Sequence, residues 1–75
     1  MSFNINLYSD GIPSKYGNVS DVSLEEAVDE MLYYDSISKK YTEEELTKIL
    51  EDMKVGFQHY MMFGTRWSEF KVTKK

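Results

Sequence analysis

Cysteine is absent from the chain, which removes disulfides, cysteine-ligated zinc and thiol catalysis together. Proline occurs once and glycine four times, too few for a linker-like or low-complexity chain. The one histidine, His59, has no Cys, Ser or metal-ligand pattern around it. No apolar run approaches the roughly 20 residues that span a bilayer. The opening Met-Ser-Phe-Asn-Ile-Asn-Leu lacks the basic n-region of a secretory signal. These absences lead us to expect a cytoplasmic protein with no membrane association. At 75 residues, a second domain is excluded as well, because so short a chain buries only about 60% of its unfolded surface. We expect one domain over 1–75.

What is abundant is acid, and it is unevenly placed. The net charge is −4. Residues 21–52 hold eleven acids, Asp21, Glu25, Glu26, Asp29, Glu30, Asp35, Glu43, Glu44, Glu45, Glu51 and Asp52, against Lys39, Lys40 and Lys48, a local net of −8. The remainder carries +4, and no Lys or Arg occurs from 16 to 38. Such asymmetry speaks of long-range field and partners, not of fold.

Phe3, Ile5 and Leu7 alternate with polar residues, the period of a half-buried strand that Ser9-Asp10-Gly11 ends. Residues 10–22 read as loop, with room for a short strand at 16–19. Ser23 with Glu26 has the spacing of a capping box, and Leu24, Ala27, Val28, Met31 and Leu32 form one helical stripe. This helix is expected to run to about Ser36, followed by a connector over 37–41. Thr42 with Glu45 repeats the box, and Leu46, Ile49, Leu50 and Met53 repeat the stripe. Residues 57–63 suit either a continued helix or a strand. Gly64-Thr65 as a type II′ turn favours a hairpin, pairing Met61 with Ser68, His59 with Phe70 and Tyr60 with Glu69. Lys74-Lys75 reads as a frayed end. The order β-α-α-β-β predicts an α+β domain, a three-stranded antiparallel sheet with two helices on one face.

Motifs for catalysis, phosphate binding and metal binding are missing. We therefore expect no enzyme activity, no cofactor and no metal. Arg66, Lys71, Lys74 and Lys75 with Trp67 and Phe70 form a small basic-aromatic set. One reading is single-strand binding by stacking; the other makes Phe70 core and the lysines guards of an edge strand. The overall charge has the wrong sign for holding phosphates, so direct nucleic-acid binding is not expected.

The two acidic helices are the sharpest feature. Glu25 and Asp29 are four apart, as are Glu26 and Glu30, each step being about 6 Å along a helix axis. Successive phosphates on one strand of a duplex lie at a similar separation, roughly 6–7 Å. Acids in a first turn also complement the helix dipole, which accounts for Glu25, Glu26, Glu43, Glu44 and Glu45 taken singly. It does not account for the missing bases.

Small size, no cysteine, acidic helices and many aromatics together resemble phage-encoded host-takeover proteins of the DNA-mimic type. That resemblance is one of type and rests on no diagnostic motif. It implies a host-cell cytoplasmic inhibitor whose partner is a basic DNA-binding protein, a bacterial HU-type nucleoid protein being one candidate. From the spacing, Glu25, Glu26, Asp29, Glu30 and Asp35 would pair with the partner's Lys and Arg, joined by Glu44, Glu51 and Asp52 if both helices face it. The alternative is a structural or homo-oligomeric module docking through Trp67, Tyr60 and Met62 on an exposed sheet face.

Overall fold

Apolar and polar residues alternate at the start of the chain and form the central strand of a sheet. The computed structural model describes residues 1–63 and 68–75. Its elements are β1 (Phe3–Ser9), β2 (Ile12–Pro13), β3 (Val19–Val22), α1 (Leu24–Leu32), α2 (Asp35–Ser38), α3 (Glu43–Asp52), β4 (Gln58–Phe63) and β5 (Ser68–Lys74). The class is α+β, as the sequence leads one to expect. The sheet has five antiparallel strands, not three. β1 and β5 lie at its centre and β4 flanks β5. The free side of β1 is covered by β2 at one end and β3 at the other.

The two added strands come from the segment read as loop. Asp10 and Gly11 both have positive φ, 53° and 77°, the requirement of a type I′ turn, and they fold β2 back on β1. β3 begins at Val19 rather than near Tyr16. Its register on β1 shifts between Phe3 and Ile5. Side chains bridge the irregular stretch: Asn4 Oδ1 accepts from the Asp21 amide at 2.9 Å, and Asn18 Oδ1 accepts from the Leu7 amide at 2.9 Å.

The first helix stops four residues early. Tyr34 is extended (φ −88°, ψ 121°) and α2 starts afresh after it. The break turns Tyr34 onto Phe70, ring centroids 5.1 Å apart, and sends Ile37 into the core. One apolar residue and most of a ring are buried in exchange for a turn of helix.

Residues 58–63 are strand, pairing with β5 as a hairpin. The register differs from expectation by two residues: Met61 opposes Phe70, His59 opposes Val72 and Tyr60 opposes Lys71. Face assignments survive, because a two-residue shift preserves side-chain parity. The observed register stacks two core residues, Met61 on Phe70, where the expected one set Met61 against Ser68. It is also fixed at the other end. The Gly56 amide donates to Lys74 O and the Lys74 amide to Phe57 O, a bulge with Gly56 at φ 89°. The Gly64-Thr65 turn lies outside the described residues.

One sheet face and the helices enclose the core: Phe3, Ile5, Ala27, Val28, Met31, Ile37, Leu46, Leu50, Met61, Phe70 and Val72. The helices thus share one side of the sheet. Its other face carries Tyr8, Tyr60, Met62, Glu69 and Lys71. No helix among the described residues is long and apolar enough to cross a membrane.

Candidate functional site

The capping box at the start of α1 is formed as its spacing requires. Ser23 Oγ accepts from the Glu26 amide and Glu26 Oε1 from the Ser23 amide, both at 3.1 Å. With the helix anchored there, Ala27, Val28 and Met31 turn into the core. At 3.6 residues per turn, Glu25, Glu26, Asp29 and Glu30 then occupy the opposite half of the cylinder. Glu25, Glu26 and Asp29 are exposed and Glu30 is half-buried. Among the described residues none of the four is in a salt bridge. Glu26 is held below the ordinary carboxylate value, first by the Ser23 backbone N–H and then by its hydroxyl, against a smaller desolvation effect.

Of the two adjacent tyrosines at the end of α1, Tyr33 reaches the surface, 81% exposed, standing one turn beyond Asp29 and Glu30 on the same outer face. Tyr34 turns inward, and its edge meets the Tyr33 ring at 5.6 Å. Its hydroxyl pKa is raised by burial, then by the charge of Glu30 and by Tyr33.

The second helix is more mixed. Thr42 and Glu45 close a second capping box at 3.0 and 3.1 Å, and Leu46 and Leu50 are buried. Glu44 and Glu51 project opposite them, but Lys48 stands between. Together with Glu43 and Thr47 these residues line an open recess of about 400 Å3. Asp52 is exposed at the flank of the same helix, and Asp35 is exposed at the start of α2. Helices α1 and α3 pack on each other. The α1 carboxylates therefore form a base-free group, while Glu44 and Glu51 share their face with a lysine.

Both C-terminal lysines are ordered, where a frayed end was expected. Lys74 is 5% exposed, and its Nζ donates to Leu50 O (3.1 Å), Glu51 O (2.9 Å) and Met53 O (2.8 Å). It caps the last turn of α3. Lys75 Nζ bonds Asp21 Oδ1 at 2.8 Å, which neutralises the acid just ahead of α1. The basic-aromatic set is dismantled accordingly. Phe70 and Lys74 are buried, and Lys71 sits over the Tyr8 ring at 5.7 Å. Arg66 and Trp67 lie outside the described residues. Tyr60 and Met62 are 54% and 49% exposed on the open sheet face. His59 is exposed on β4.

Among the described residues no group of three or more His, Asp and Glu comes together to hold a metal ion. No family model, curated protein or solved structure matches the chain.

Proposed function

We propose that this protein occupies the basic nucleic-acid-binding surface of a partner protein and so keeps nucleic acid off it. The observation that carries the reading is the outer face of α1: four carboxylates, no base on the helix, and no cation bonded to them among the described residues. Like charges at i,i+4 cost an isolated helix a few tenths of a kcal/mol per pair. An ordinary soluble helix relieves that cost with Lys or Arg. Here the repulsion stands, and a cationic partner would relieve it.

The mechanism is steric and electrostatic. Glu25 with Asp29, and Glu26 with Glu30, place negative charge at a repeat close to that of duplex phosphates. Tyr33 adds an amphipathic ring at the end of the row, the residue type that anchors interfaces. Asp35, Glu44, Glu51 and Asp52 extend the field without continuing the row. Opposite charge speeds encounter and makes affinity fall with ionic strength. The partner class is a basic DNA-binding protein, with a bacterial HU-type nucleoid protein the candidate that the resemblance suggests.

Calorimetric titration of such a protein with the wild type and with Glu25→Gln/Asp29→Asn/Glu30→Gln tests the reading. Glu26 is spared because it caps the helix. Loss of about 100-fold in affinity by a variant of unchanged circular dichroism supports it, each charge-pair contribution being about 1 kcal/mol. Equal affinity rejects it.

A further inference from the structure

Most of the Tyr33 surface meets solvent, yet its ring is held in a defined place. The residue is the C-cap of α1 with helical angles (φ −58°, ψ −28°), and its amide donates to Asp29 O at 3.1 Å. Asp29 and Glu30 therefore stand one turn before it. Side chains on a helix lean toward its N-terminus, which brings the ring toward those two carboxylates. Three rings in series hold it there. Tyr33 meets Tyr34 edge to face at 5.6 Å and 86°, and Tyr34 meets Phe70 at 5.1 Å and 73°. Phe70 is fully buried. Tyr34 is confined further by Gly17, where an added Cβ would meet its hydroxyl. A ring ordered in advance loses less freedom on binding than an ordinary surface tyrosine.

Other rings of the chain already carry a cation. Lysine ammonium groups stand over Tyr41, Tyr8 and Phe3 at 5.6, 5.7 and 5.8 Å. Among the described residues no lysine stands over Tyr33, although two carboxylates lie within a turn of it. We infer that Tyr33 makes this face select arginine over lysine on the basic partner, a refinement that rests on the binding role proposed above. A guanidinium is planar and less strongly hydrated than an ammonium. It can lie flat on a tyrosine ring while its N–H edge turns to a carboxylate, so both contacts form together. An ammonium is a compact point charge, for which the carboxylates alone supply most of the attraction. The acids set the affinity for positive charge, and Tyr33 sets which cation is preferred.

Fluorescence anisotropy with labelled hepta-arginine and hepta-lysine, peptides of equal side-chain charge, tests this on the full chain. The wild type should bind the arginine peptide about fivefold more tightly. Tyr33→Leu, a change at an exposed position, should bring arginine affinity down to the lysine value and leave lysine binding nearly unchanged. Tyr33→Phe keeps the ring face and should keep the preference. Equal binding of the two peptides by the wild type overturns the inference, as does a preference that survives in folded Tyr33→Leu. The acidic-face reading is separated by Glu25→Gln/Asp29→Asn/Glu30→Gln, which should weaken both peptides alike. Equal peptide affinities that this variant lowers leave that reading standing and reject only the role of Tyr33. Binding of neither peptide at about 50 mM salt, where screening is weak, overturns both.

Discussion

Lys74 shows how a single side chain joins two layers of the molecule. It belongs to β5, yet its ammonium closes the carbonyl end of α3 through three bonds of 2.8–3.1 Å and lies 5.8 Å from the Phe3 ring centroid. Lys74→Met keeps the stem and removes the donors, leaving three carbonyls to find water. Urea unfolding should register a loss of about 2–3 kcal/mol. Gly17 is a second such point. Its φ is 79°, and a Cβ there would meet the Tyr34 hydroxyl and Leu7. Gly17→Ala should cost about 1–2 kcal/mol for the backbone alone, and removing the hydroxyl with Tyr34→Phe should return part of it. Glu26 carries a pH signature. Its carboxyl is depressed in the folded state, so its contribution is present above the unfolded value and is lost as pH falls through the folded one. Glu26→Gln should therefore flatten the acid limb of the stability–pH curve below about pH 5.

At the level of elements, local signals were legible wherever local chemistry decides. Both capping boxes, Ser23–Glu26 and Thr42–Glu45, were readable from spacing and are formed. Ser23→Ala should cost about 1 kcal/mol and fray α1 from its acidic end, visible as reduced helical ellipticity. The Phe3–Ile5–Leu7 alternation was equally readable. The Asp10-Gly11 pair is a strong hairpin signal that the loop reading passed over, because the strand it returns is only two residues long. What could not be read were long-range outcomes. The break at Tyr34 is decided by Phe70, thirty-six positions away in sequence. The hairpin register is decided by Met61 stacking on Phe70 and by the bulge at Gly56 against Lys74. A turn signal alone cannot see either. The order given to Lys74 and Lys75 has the same origin, since their partners lie in α3 and at Asp21. Of the candidate site, the α1 acids and their outward direction were legible from periodicity; the outward placing of Tyr33 depends on the contact of Tyr34 with Phe70.

Over the whole molecule, the α1 carboxylates keep an outer face free of bases, while bases at the end of the chain bond elsewhere. Bases of the C-terminal strand are drawn into structural work: Lys74 on α3, Lys75 on Asp21 and Lys71 over Tyr8. None of these reaches back to Glu25, Glu26, Asp29 or Glu30. Binding of a basic partner should weaken with salt. The most direct test of the central claim is displacement of a labelled DNA duplex from an HU-type protein, followed by fluorescence anisotropy. The wild type should release the duplex, and the Glu25→Gln/Asp29→Asn/Glu30→Gln variant, folded and otherwise identical, should require about 100-fold more protein to do so. Failure of the wild type to release the duplex, or equal release by the variant, would contradict it.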